Sequence, residues 1–124
     1  MVLTGRCEHH IRGVEDLDGT IERLVAYRDA GADCIYAPGL TELDDIRRVV
    51  DEVEAPVNVL ALVTAPPIDR LEAIGVRRIS TGSLLAGAAY GALVAGAREL
   101  LDEGTSQYAA GHVPRDLLGR ALRP

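Results

Sequence analysis

Hydrophobic and polar positions along this chain switch period several times. Val2–Cys7 is a short, largely apolar run that leads through Arg6 to Glu8, and it predicts a first β-strand. Leu17, Ile21, Leu24 and Val25 then recur at helical spacing. They predict a helix near Gly19–Ala30, with Gly31 as its C-terminal stop. A second strand, Cys34–Ala37, is halted by Pro38-Gly39. Thr41 reads as the cap of a second helix, with Asp44 three residues later as a capping-box variant. Leu43, Ile46, Val49, Val50 and Val53 form its inner face, and Pro56 ends the turn. Val57–Val63 is nearly all apolar, as a parallel strand covered on both sides should be. Pro66-Pro67 opens a third helix with Ile68, Leu71 and Ile74 inward and Gly75 at its close. Arg78–Thr81 is the fourth strand.

The last helix, about Ser83–Glu103, breaks the amphipathic pattern. No charge occurs from Ser83 to Ala97, and Gly87, Gly91 and Gly96 interrupt the run. A helix apolar nearly all round is expected to be buried on more than one side, here against a partner subunit. It does not read as a membrane span, because the uncharged run is short, glycine-rich and flanked by Arg78 and Arg98. Residues 105–124 form a tail in which Leu117, Leu118, Ala121 and Leu122 outline one more small helix. Alternating strands and helices with short connections predict a parallel sheet with right-handed crossovers. Four strand–helix units are half of the eight that a closed barrel needs. The expected fold is therefore α/β, half of a (β/α)8 barrel over residues 1–104, followed by the helical tail 105–124.

Composition narrows the chemistry. The 124 residues carry a net charge of −6 and no basic stretch, so binding to nucleic acid is not expected. All 13 cations are arginine, which excludes a Schiff-base lysine within this chain. Phe and Trp are absent, so the core must be aliphatic and an aromatic stacking platform is not expected. Tyr36 and Tyr90 read as packing residues. Cys7 and Cys34 form no C-x-x-C pair and read as buried, reduced thiols of a cytoplasmic protein. No leader-like apolar stretch precedes Arg6.

Five runs carry a more specific signal. They are Gly5-Arg6-Cys7-Glu8, Glu22-Arg23-Leu24-Val25-Ala26-Tyr27, the stretch from Ala30 to Gly39, Pro56-Val57-Asn58-Val59-Leu60, and Gly75 to Ser83. In this order and spacing they resemble the second half of the isocitrate lyase / phosphoenolpyruvate mutase superfamily, strands five to eight of a (β/α)8 barrel. The resemblance implies a lyase or mutase, carboxyvinyl-carboxyphosphonate phosphorylmutase-like. Such enzymes make or break C–C or P–C bonds in small α-keto or 2-hydroxy acids through an enolate held on Mg2+. It also implies a homodimer or larger assembly formed through the 83–103 helix.

The same resemblance places Arg6 against the substrate's anionic group, where a guanidinium fork suits a carboxylate or phosphonate. Glu8 is implied to help hold the site, and Arg6 and Glu8 are the candidate catalytic pair. Gly39, Ser80 and Gly82, at the ends of strands two and four, join Arg6 as candidate substrate-binding residues. Ser80-Thr81-Gly82-Ser83 suits an anion at a helix start, although capping by Ser83 explains the run equally well. Pro38-Gly39 stands where some lyases carry a glutamate. That points toward the mutase, oxaloacetate-decarboxylase and carboxyphosphonate-mutase-like branches.

The family's Mg2+-binding aspartates have no counterpart here. Asp16, Asp18, Asp44 and Asp45 sit at predicted helix starts, and Glu8-His9-His10 reads as a solvated loop. The chain alone is therefore expected to bind no metal and to be inactive. The alternative reading is a truncated, catalytically inactive paralogue serving as an oligomeric scaffold. Asn58 is expected to fill the barrel interior. The open edges of strands one and four are expected to promote pairing with a second copy.

Overall fold

The computed structural model describes residues 1–121. The chain divides into two compact units, Met1–Gly82 and Ser83–Pro124. The last predicted position of the tail helix, Leu122, lies outside the described residues.

The first unit alternates β1 (Thr4–Arg6), α1 (Leu17–Asp29), β2 (Cys34–Tyr36), α2 (Leu43–Val53), β3 (Val57–Leu60), α3 (Ile68–Ala73) and β4 (Arg78–Ser80). The strands form one sheet in the order β1-β2-β3-β4, every neighbour parallel. Sequential order with a helix between each pair is the parallel α/β arrangement the pattern predicts.

Period-two alternation gives the sheet two different faces. Ile35, Val57 and Val59 pack with Leu24, Ile46, Val49, Val53 and Leu71 into the aliphatic core beneath the helices. Arg6, Tyr36, Asn58 and Arg78 form one register row and point the other way. Gly5 has a specific reason to be glycine. A Cβ there would lie 2.7 Å from Tyr27 Cβ on α1, so the bare backbone is what lets helix and strand approach.

Helix ends depart from expectation in detail. Helix α1 starts two residues early, at Leu17, because the Asp16 carboxylate accepts from Gly19 N at 2.9 Å. Thr41 does not cap α2. Glu42 holds that position and makes no side-chain cap. The other end of α2 is closed by Glu54 in a left-handed conformation (φ 53°) and by Arg28 of α1, whose Nη1 donates to Val53 O at 2.7 Å. Arg48 of α2 bridges Asp18 and Glu52, tying α2 to α1 and holding its guanidinium more basic than usual. Strand β3 stops at Leu60 rather than Val63. Leu62 N turns back onto Leu60 O, and Val63 is fully exposed.

In the second unit, α4 (Leu84–Arg98) runs on through a wider helical turn, Glu99–Glu103. Gly104 in a left-handed conformation ends it, a short turn spans Gln107–Gly111, and α5 covers Arg115–Ala121. Ser83 makes no side-chain cap on α4, so the capping explanation of that serine does not hold. Leu85, Tyr90 and Leu93 are each about two-thirds exposed, and only Gly96 of α4 is buried. The chain itself does not cover these side chains; the expected cover for this helix is a partner subunit.

Candidate anion site on the face away from the helices

Arg6 ends β1, one residue before the buried Cys7. Its side chain is half-exposed rather than buried, because β1 is an edge strand. The guanidinium packs over the Tyr36 ring, 5.1 Å from the centroid, and its Nε donates to Glu8. Glu8 also faces Arg12 at 3.8 Å. Arg6 and Glu8, the predicted catalytic pair, are therefore together, with Glu8 on the Nε edge of the guanidinium to which an incoming anion would also bind.

Asn58 continues the same row beyond Tyr36. It is 2% exposed, and its Nδ2 donates to Ser80 Oγ at 3.0 Å. Its Oδ1 is buried without a hydrogen-bond partner. A buried orphan acceptor is costly, and such groups mark places where a further partner is received. Asn58, expected to fill the barrel interior, instead carries a free acceptor, and its signal in the sequence is a polar amide inside an otherwise apolar strand. Gly82 ends the segment after β4 with a left-handed backbone, near Leu60 Cδ1.

Gly39 does not join this group. It sits beneath the turn His10–Arg12, where a Cβ would come within 2.7 Å of Ile11 N. It also lines a separate cavity of about 380 Å³ with His10, Glu15, Thr41, Glu42 and Asp45. Three carboxylates around that cavity disfavour an anionic ligand there. The structure thus brings together Arg6, Glu8 and Tyr36 at one end of the row and Asn58 with Ser80 at the other.

The two histidines are not a solvated loop. His9 Nδ1 lies 3.2 Å and His10 Nε2 3.4 Å from the hydroxyl of buried Thr20, which donates to Asp16 O at 2.7 Å. Cys7 Sγ approaches the same hydroxyl at 3.8 Å. Cys7 and Cys34 are both buried and free, as read from the sequence.

Four of the carboxylates already have partners. Glu8 is taken by Arg6, Asp16 caps α1, Asp18 holds Arg48 and Asp44 holds Arg47. No group of three or more acidic, histidine or cysteine ligands converges among the described residues. What the arrangement can do is hold a small anion through a guanidinium, an amide and a hydroxyl on one sheet face.

Known proteins share this fold. The family model for phosphoenolpyruvate phosphomutase matches residues 1–101. A protein of Burkholderia cenocepacia J2315 with a provisional lyase/mutase assignment is 46% identical and superposes with a TM-score of 0.89. The match covers 99% of this chain and 45% of that one. An oxaloacetate acetylhydrolase solved with 3,3-difluorooxalacetate is 25% identical, with a TM-score of 0.73, over 95% of this chain and 41% of its own. The 2-methylisocitrate lyase of Shewanella oneidensis is 52% identical over 44 residues, 36% of this chain and 15% of that enzyme. The chain thus spans less than half of the solved relatives, and the matched stretches 28% or less of the curated ones. Leu84–Glu103 is long and apolar enough to cross a bilayer by length and composition alone, yet nearly all of it falls within the matched enzyme fold. Four parallel strand–helix units, with this family model covering 101 of 124 residues, place the chain in the phosphoenolpyruvate phosphomutase family, as half of its barrel.

Proposed function

We propose that this chain supplies the substrate-anion half of a lyase or mutase that makes or breaks a C–C or P–C bond next to a carboxylate. The substrate class is a small α-keto or 2-hydroxy acid. One observation carries the reading. Arg6 closes a sheet-face row that runs through Tyr36 to Asn58, whose buried acceptor has no partner. In this reading Arg6 binds the carboxylate or phosphonate, and Glu8 holds the guanidinium in place until the anion displaces it. Asn58 and Ser80 fix the rest of the ligand, and Gly82 leaves room beside them. The metal-binding set implied for the family would lie in the portion of the fold this chain does not span, since no three metal-ligating side chains converge among the described residues. We further propose that the protein is cytoplasmic and self-associates through the 83–103 helix, whose apolar side chains are exposed in the single chain.

The competing reading, an inactive scaffold, draws on the same Glu8 contact. If Glu8 never releases Arg6, no anion binds. Titration with oxalate or sulfate, followed by NMR or calorimetry, separates the two. Millimolar binding, worth about 4 kcal/mol, that weakens in Arg6→Lys supports the enzyme half, because an ammonium lacks the planar fork. Equal binding by both proteins, or none by either, would leave Arg6 as a structural partner of Glu8 and favour the scaffold.

A further inference from the structure

Ser80 ends β4 half-buried, and its hydroxyl has one proton and two lone pairs to place. Asn58 Nδ2 fills one lone pair at 3.0 Å. The proton is left with Val59 O at 3.5 Å, the far limit of a hydrogen bond. Turning the Asn58 amide over would let Ser80 donate to it, but would bury the whole NH2 group without a partner where only a carbonyl lacks one now. The present orientation therefore holds, and it leaves Ser80 with a proton to give.

The two edge strands approach each other over this face. Arg78 Nη1 of β4 reaches Thr4 Oγ1 of β1 at 3.4 Å. Three inter-strand spacings of about 4.8 Å on a flat sheet would put those residues out of reach. The sheet therefore curls toward this face. Two residues further along the same strands stand Ser80 and Arg6, on the same face by the period-two rule. They repeat the pairing of Arg78 with Thr4, with arginine and hydroxyl exchanged between the strands. The span between them is thus one that an arginine side chain nearly closes. Arg6 does not close it, because its guanidinium lies over the Tyr36 ring and on Glu8.

We propose that Ser80 donates its hydroxyl proton to the oxygen on the carbon next to the carboxylate that Arg6 binds, that Asn58 is the positioning residue that sets this direction, and that the pair selects an α-keto acid over the matching 2-hydroxy acid. The inference rests on the anion reading of Arg6 given above and narrows its ligand. A carbonyl oxygen only accepts, so it takes the Ser80 proton and leaves nothing unpaired. A ligand hydroxyl brings a second proton. Either that proton or the one on Ser80 is then left to the 3.5 Å contact or to no partner.

The test is a titration with pyruvate and with lactate, followed by NMR. Asn58 is the sole asparagine of the chain and Gln107 its sole glutamine, so the Asn58 carboxamide gives one of only two such pairs of signals. Pyruvate should bind the wild-type chain about threefold or more tighter than lactate. It should also shift the Asn58 carboxamide signal, although Asn58 is 2% exposed and beyond direct contact. Ser80→Ala should lose both the preference and the shift while still binding lactate. Ser80→Thr, which keeps the hydroxyl, should keep both. Asn58→Leu should lose the preference, and the double variant Asn58→Leu with Ser80→Ala should bind pyruvate no more weakly than Ser80→Ala alone. An undiminished preference in Ser80→Ala, or additive losses in the double variant, would overturn the proposal and leave the anion reading standing. Binding of neither acid to the wild-type chain would overturn both.

Discussion

Asn58 Nδ2 donates to Ser80 Oγ at 3.0 Å, and that bond joins the middle of β3 to the end of β4 while leaving Asn58 Oδ1 buried and unpaired. The pair is unbalanced as it stands. The hydroxyl of Ser80 offers a proton to Val59 O at 3.5 Å, too long to be strong, and so the network stops at Asn58. A network that ends on an orphan acceptor leaves one hydrogen bond for a water, a ligand or a further segment to supply.

Replacing the orphan tests this directly. Asn58→Leu removes the buried orphan acceptor and, with it, the 3.0 Å bond to Ser80, whose half-buried hydroxyl can still reach Val59 O, so gain and loss nearly offset. The melting temperature of the chain should stay level or rise, while oxalate binding falls. A loss of about 2 kcal/mol or more in stability would instead show that the amide is a structural element of the sheet.

Glu8 competes with ligand for the Arg6 fork. Glu8→Gln removes the charge but keeps the shape, so oxalate should bind several-fold more tightly than to wild type. The gain should shrink with added salt, since both side chains are half-exposed. Weaker binding in Glu8→Gln would mean that the carboxylate orients Arg6 rather than blocks it.

The close approach of Gly5 to Tyr27 predicts a packing penalty. Gly5→Ala should destabilise the first unit by about 1–3 kcal/mol, read from urea unfolding. Tyr27→Ala in the same chain should recover only the share owed to the ring atoms at 3.1 and 3.2 Å, because alanine keeps the Cβ that lies 2.7 Å from the new methyl. Fully additive losses would show that the Cβ contact alone sets the requirement.

Glu99 links the end of α4 to the turn that follows. Its carboxylate accepts from Thr105 Oγ1 and from the backbone N–H groups of Gln107 and Tyr108. Thr105 first, then those amides, hold its pKa below the usual carboxylate value. The folded pKa lies below the unfolded one, so this local stabilisation is present above about pH 4.5 and is lost as pH falls through the folded value. Amide exchange at Gln107 and Tyr108, corrected for intrinsic rates, should lose protection at pH 3 relative to pH 6. Glu99→Gln should lose most of that pH dependence.

Purified chain mixed with Mg2+ and oxaloacetate or phosphonopyruvate should show only background turnover, because no set of three metal-ligating side chains converges among its described residues. Turnover abolished by EDTA would place a metal site on this chain after all.

Much of this protein was legible from local pattern. Period-two runs interrupted by helical ones determined the four strand–helix units and their parallel order, because crossover connections of this length allow little else. The aliphatic core followed from Leu24, Ile46, Val49 and Val53 at helical spacing, and the half-barrel count from simple addition. The Gly5-to-Glu8 run located Arg6 and Glu8, which the fold does bring into contact. What local pattern could not determine was which groups meet across the sheet. The register that aligns Arg6, Tyr36, Asn58 and Arg78 depends on strand stagger, and the curl that lets Arg78 reach Thr4 is a property of four strands together. The 3₁₀ turn that packs His10 and Ile11 onto Gly39, and the Thr20 hydroxyl that gathers His9 and His10, likewise join segments separated in sequence. Tertiary structure alone decided that Gly39 faces an acidic cavity instead of the anion row, and that α4 keeps its apolar side chains exposed. Local periodicity records that a side chain prefers to be covered, whereas only the assembled fold determines whether the chain itself provides the cover.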